Sequence, residues 1–190
     1  MIRTSLNYPL YLDELDLRVA PRFAHFTSPP LGLTILPGKH QIGISGRHER
    51  DLELDAARLT ELGVSVFVLL VEDHELIGCA VPNFVEVMHR HHITVLRCPI
   101  VDGQTPGPTS LAAFRALLAE MEARLRAGQH LAVSCRGGLG RTGLTAACLL
   151  INGGLDSRQA ISLVRQVRSG AIENRLQEYF IRSWPIIRGD

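Results

Sequence analysis

The chain has 190 residues, 46% of them hydrophobic, which suits one domain of ordinary size with a buried core. A formal net charge of +1 implies no broad basic face for nucleic acid, and no apolar run is long enough to span a membrane. Cys79, Cys98, Cys135 and Cys148 are scattered without Cys-x-x-Cys spacing, so a reduced cytoplasmic protein with free thiols is expected, without a disulfide framework; the expected oligomeric state is a monomer.

Met1 to Leu17 alternates apolar and acidic residues and lacks a signal-peptide layout. Residues 1–30 read as an N-terminal arm or lead-in with no assigned chemistry, and 31–190 as a single domain. Within the arm, Tyr8 to Leu12 suits an edge strand or a segment laid on the surface. Leu31 to Leu36 reads as a strand ended by the Pro37-Gly38 turn. Asp51 to Leu62 has a helical apolar face of Leu52, Leu54, Ala56, Leu59 and Leu62, with Gly63 as its C-cap. Val64 to Val71 is a continuous apolar run, the pattern of a strand buried on both faces. Glu72 to His92 reads as an acidic turn and then a helix, with Pro82 in its first turn. That helix ends in His89-Arg90-His91-His92. These histidines suit a solvated helix end better than a metal site, because Cys, Asp and Glu partners are not at ligand spacing.

Ile93 to Ile100 is a further strand, running into a Gly- and Pro-rich loop from Val101 to Pro108 that is expected to be exposed and mobile. Asp102 stands just past that strand, where α/β sites gather at the carboxyl edge of the sheet; beside Gly103 it equally suits a turn. Thr109-Ser110 caps a helix from Leu111 to Ala127, with a core stripe of Leu111, Phe114, Leu117, Leu118, Met121 and Leu125. After Gly153-Gly154, Asp156 or Ser157 caps a helix through Val167. Ala171 to Asn174 opens a last helix that Pro185 is expected to stop. Strands alternating with helices imply a mostly parallel sheet flanked by helices, an α/β fold.

The stretch from His130 to Ile151 carries the chemistry. His130 to Ser134 is a short buried strand, and Leu144 to Ile151 a buried helix. Between them runs Cys135-Arg136-Gly137-Gly138-Leu139-Gly140-Arg141-Thr142. Glycines permit left-handed backbone and close approach, so successive N–H groups from Arg136 to Arg141 can form an anion nest, reinforced by the helix N-terminus. Arg141 offers a planar fork for two oxygens of a phosphate. Cys135, at the base of this field, is expected as a thiolate, with Thr142 as a hydroxyl donor to its sulfur. Arg136 suits either a substrate contact at the rim or plain surface.

This Cys-x5-Arg-Thr pattern resembles the signature of the cysteine-based protein phosphatases. Its Gly-Gly-Leu-Gly-Arg form is most similar to the dual-specificity branch and, within it, the kinase-associated (cyclin-dependent kinase inhibitor 3-like) phosphatases. Leu36-Pro37-Gly38, Arg50-Asp51, Leu62-Gly63-Val64, Val81-Pro82-Asn83 and the tail from Arg168 to Phe180 are similar too. The likeness runs from about Leu31 to Phe180. It implies a dual-specificity phosphatase-like fold, a Cys135 nucleophile, Arg141 and the loop residues Arg136 to Gly140 as phosphate ligands, and Asp102 as general acid. Gln177 matches the family's late Gln; an exposed helix residue is the plainer reading. The resemblance implies no metal, no cofactor, and a phosphorylated protein or peptide as substrate; charge and hydropathy already point away from nucleic acid and membrane as partners. Where the family has His before the Cys, this chain has Ser134. A pseudophosphatase that only binds phosphate, and a phosphatase of inositol, sugar or RNA-end phosphates, remain as alternatives. The second is disfavoured because the loop interior offers only Arg136 and no Lys.

Overall fold

The computed structural model describes residues 2–43 and 46–187; the end of the expected domain, residues 188–190, lies outside them. Strands β1 (Ile2–Arg3) and β2 (Asp13–Leu15) open the chain, followed by two 3-10 turns, Leu17–Val19 and Pro21–Phe23. Then come β3 (Leu31–Thr34), β4 (His40–Gly43), β5 (Gly46–Glu49), α1 (Leu52–Glu61), β6 (Val66–Leu69), α2 (Asp73–Gly78), α3 (Phe84–Arg90) and β7 (Thr94–Arg97). The chain finishes with α4 (Leu111–Arg126), β8 (Leu131–Ser134), α5 (Gly140–Asn152), α6 (Ser157–Val167) and α7 (Arg175–Ile187).

The main sheet has the order β2-β3-β8-β6-β7. Strand β8 lies at its centre, parallel to β3 and β6, with Val133 opposite Leu33 on one side and Val68 on the other. Strands β3, β6 and β8 are buried throughout, which accounts for their unbroken apolar runs. Only β2, at the edge, runs antiparallel. Helices flank the sheet. The apolar helix α5 packs against α4, α6 and α7 and is buried along its whole length but for its final residue. Phe114 of α4 meets Trp184 of α7 edge-on at 5.4 Å, closing that side of the core.

Residues 2–30 are built into this frame. Strand β2 extends the main sheet, and Leu10, Leu15, Leu17, Phe23 and Phe26 are buried in the same core. Tyr8 to Leu12 is not a strand; the edge strand lies just beyond it. A second sheet, β1-β5-β4, comes from a stretch in which the sequence signals no strand. Its residues His40, Gln41, Arg47, His48 and Glu49 are polar and lack a clean alternation, so the pairing is decided by the hairpin and by β1.

Three expected elements differ. The acidic turn after β6 is helical: Glu72 caps α2, with its side chain on the Glu75 N–H and the Glu75 carboxylate returning to the Glu72 N–H, a reciprocal capping box. Pro185 does not stop α7 but lies in its last turn. A proline there removes one bond near the helix end, where carbonyls are already losing partners. Helix α5 starts at Gly140, a turn before Leu144, so Arg141 and Thr142 belong to the helix rather than to the loop.

Candidate active site

Parallel pairing on both sides delivers Ser134 and then Cys135 to the carboxyl edge of the sheet, and Ser134 O accepts from Leu70 N at 3.1 Å. The loop then turns over β3. Gly138 adopts φ 68°, and a Cβ there would lie 2.1 Å from the Thr34 carbonyl oxygen, so no other residue fits. A Cβ at Gly140 would meet the side-chain ends of Glu173 and Gln177, at 2.2 and 2.7 Å, and would have to displace them. Among the described residues, the backbone N–H groups of Arg136 to Gly140 donate to no protein acceptor. They stand at the N-terminus of α5, where the helix dipole favours an anion.

The loop's shape is held from behind. Arg168, at the end of α6, is buried; its Nε donates to the Gly138 carbonyl, and one Nη donates to Gly137 O at 3.3 Å. Its other Nη pairs with Asp13 of β2 and reaches Leu33 O at 3.4 Å. One guanidinium thus ties loop, edge strand and α6 together. Ile172 donates its N–H to Leu139 O at 3.3 Å from a left-handed conformation, φ 61°, costly for a β-branched residue and sustained by this packing.

Arg141 is buried at 1% exposure and does not hang free. Its two Nη atoms donate to the Glu75 carboxylate at 2.6 and 2.8 Å, and one donates also to Ile100 O at 2.9 Å. Burial alone would lower the Arg141 pKa; Glu75, then Cys135 and Asp102, outweigh it and raise it. Burial likewise pushes the Glu75 carboxyl up; the Arg141 hydrogen bonds, the Glu72 N–H and the charges of Arg141 and Arg136 together more than reverse this, holding it below the ordinary carboxylate value. The pair is therefore ionised and fixes the fork in place.

Asp102 lies at the edge reached by β7, its side chain half exposed, with Oδ1 2.9 Å from Arg141 Nη2 and Oδ2 on the Arg136 guanidinium. Arg136 of the loop and Arg141 of α5 are thus held by the same carboxylate. The Asp102 loop is itself tied down by Asn174, which donates to Gly103 O at 2.9 Å. Thr142 accepts the Cys135 backbone N–H at 2.8 Å on Oγ1, so the observed bond is to the main chain of Cys135. Arg136 has its side chain at the rim, where it meets Asp102.

Gln177 is fully buried, not exposed on its helix. Its Oε1 accepts from Glu173 N at 3.0 Å and its own N–H donates to Asn174 Oδ1, which braces the start of α7 beside Gly140. It does not line the cleft that contains Cys135. His91 pairs with Glu53 at 2.9 Å, and among the described residues no cluster of three His, Cys, Asp or Glu could hold a metal. No described helix is long and apolar enough to cross a membrane.

The cleft itself has a volume of about 1150 Å³ and is lined by Cys135, Arg136, Asp102, Lys39, His48 and Tyr11, among others. Its far wall is the small sheet and the N-terminal segment, neither of which the sequence assigned to the site. Sequence reasoning also missed Glu75, Lys39 and the role of Arg168. Glu75 had one usable signal: its spacing from Glu72 is that of a capping box at the end of a buried strand. Lys39 follows a turn at the end of β3, the same edge as the end of β8.

A cysteine and an arginine bracketing a nest of N–H groups, at the carboxyl edge of a parallel sheet and opposite an aspartate, define the dual-specificity and protein-tyrosine phosphatase class. The family profile described as cyclin-dependent kinase inhibitor 3 matches residues 20–161, and the chain belongs to that family. Cyclin-dependent kinase inhibitor 3 of Sus scrofa is 31% identical over 157 residues, 81% of this chain and 71% of the relative; the Homo sapiens protein is 30% identical over the same shares. The crystal structure of kinase-associated phosphatase, with serine replacing its catalytic-site cysteine, superposes with a TM-score of 0.83 at 27% identity, covering 95% of this chain and 97% of that one. That overlap takes in most of residues 1–30, a wider likeness than Leu31 to Phe180.

Proposed function

We propose that this protein is a phosphoprotein phosphatase that works through a phosphocysteine. The phosphate of a phosphotyrosine, phosphoserine or phosphothreonine binds the N–H groups of Arg136 to Gly140 and the Arg141 fork. The Cys135 thiolate attacks phosphorus in line; the S–P bond forms as the ester P–O bond breaks. Asp102 gives its proton to the departing oxygen. Water then attacks phosphorus, Asp102 takes its proton, and the S–P bond breaks to release inorganic phosphate and the thiolate. Fixed donors and Arg141 neutralise the developing charge.

The observation that carries this reading is the Asp102 carboxylate at 2.9 Å from Arg141 Nη2, on the cleft that Cys135 lines. An acid within reach of the phosphate ligand is what leaving-group protonation requires. Asp102 must yield Arg141 to the phosphate when substrate binds, which turns its carboxyl toward the leaving oxygen. The structural likeness to a kinase-associated phosphatase supports a phosphoprotein substrate here.

One observation favours a second reading. Lys39 brings a cation to the cleft from outside the loop, so the loop's own lack of lysine does not by itself exclude a more highly charged phosphomonoester. A panel of phosphotyrosyl, phosphoseryl and phosphothreonyl peptides, with inositol phosphates alongside and Cys135→Ser as the blank, tests both. Phosphopeptide turnover that disappears in Cys135→Ser is expected. Turnover of inositol phosphates alone would move the assignment to the second reading, and phosphate binding without any turnover would make the protein a binding module.

A further inference from the structure

The Pro37-Gly38 turn carries Lys39 beneath the phosphate loop, and its backbone is pinned on both sides. Gly38 N donates to Asp55 Oδ2 at 2.8 Å, and Lys39 O accepts from Arg50 N at 3.3 Å. Arg50 and Asp55 form a buried two-bond pair, at 2.7 and 2.8 Å, that anchors the turn. The side chain is enclosed as well. Lys39 is 3% exposed, and its Nζ donates to the Arg136 carbonyl, the peptide that follows Cys135, at 3.1 Å.

Among the described residues Lys39 forms no ion pair with a carboxylate. A buried ammonium with one carbonyl acceptor is costly, and such a group persists where an anion is held beside it. The groups that act on Lys39 are the thiols of Cys79 and Cys135, which favour its charge, and Arg50 and Arg136, which oppose it. His48, on the facing hairpin, is pushed down to about 4 by burial and then by Lys39, so it is neutral. Burial pushes the Cys79 thiol up, so that thiol is held protonated and offers Lys39 no anion. Burial also brings Lys39 itself down to about 8, so it carries its charge at neutral pH and loses it above.

The strand before Cys135 supplies no such cation. Ser134 is fully buried, and its Oγ has no hydrogen-bond partner among the described residues. We propose that Lys39 is the positioning residue that holds the Cys135 thiolate in this protein, acting from the β3–β4 turn beneath the Arg136 carbonyl. The proposal rests on Cys135 being the nucleophile.

The test is alkylation of Cys135 by iodoacetamide as a function of pH, read by mass spectrometry of the Cys135 peptide. It is run on the wild type, Lys39→Met and Lys39→Gln, each checked for folding by circular dichroism. Loss of a neighbouring opposite charge moves a titration by about one to three units. The alkylation midpoint should therefore rise by at least about one unit. At mildly acid pH the rate should fall about tenfold, since one pKa unit is a factor of ten. Either folded variant alkylating along the wild-type profile overturns the proposal. Turnover of an aryl phosphate is measured on the same samples and separates the two questions. Wild-type turnover with an unmoved midpoint sinks the role of Lys39 and keeps the phosphatase. A moved midpoint without turnover in the wild type keeps Lys39 and sinks the phosphatase.

Discussion

Replacing Glu75 with glutamine removes the charge that holds Arg141 and leaves its shape nearly intact. The Arg141 and Glu75 side chains are 1% and 3% exposed, so the pair is not screened by water as a surface bridge would be. Breaking a buried pair by neutralising one partner costs about 3–5 kcal/mol, because the remaining charge is left uncompensated. Here Ile100 O and Asp102 still accept from Arg141, and Gln keeps one acceptor, so the low end, about 3 kcal/mol, applies. For a chain of this size that is a fall in melting temperature of roughly 6–12 °C. The Glu75 pKa is lowered in the folded protein, so its contribution is present above the unfolded value of 4.5 and is lost as pH falls through the folded one. Wild type and Glu75→Gln should thus differ at neutral pH and converge in acid. Thermal melts at several pH values, with vanadate or phosphate affinity measured alongside, decide it. A variant that melts within about 2 °C of the wild type at pH 7, well under the range above, and binds phosphate equally well, would show that Glu75 does not hold the fork.

Asp102→Asn should slow phosphoserine and phosphothreonine peptides by roughly a hundred- to ten-thousand-fold, and activated aryl phosphates far less, since an alkoxide depends more on the proton. Equal losses on both substrate types would place the acid elsewhere. Peroxide should oxidise Cys135 first and reversibly, because burial pushes the Cys79, Cys98 and Cys148 thiols up and keeps them protonated. Peptide mapping that finds all four cysteines oxidised alike would contradict this. Lys39→Met should stabilise the fold while impairing the site. The drop from the ordinary lysine value of 10.5 to about 8 is worth about 3 kcal/mol. That penalty is present in full below pH 8 and relieved as pH rises to 10.5. Urea melts at pH 7 and at about pH 10.5 should therefore show the gain at the first and not at the second.

The amino-acid sequence was enough for the elements made of local signals. Buried parallel strands write unbroken apolar runs, so β3, β6 and β8 were legible, and the Asp156 cap marked a helix start, its carboxylate accepting the early N–H groups in the structure. The Cys135 loop was legible for the same reason: its strand, glycines, arginine and helix are contiguous, and each constrains the next. Tertiary structure decided what no local pattern encodes. The polar strands β4 and β5 form a sheet by pairing with each other and with β1, a segment more than forty residues before β5. Gln177, which helical spacing alone leaves ambiguous, is buried because the 171–177 segment closes over the start of α5. Glu75, Lys39 and Arg168 lie 66, 97 and 30 residues from the groups they bond, Arg141, the Arg136 carbonyl and the Gly138 carbonyl. Their roles depend on burial, which gives a charge its energetic weight, and burial is settled only when the chain is packed.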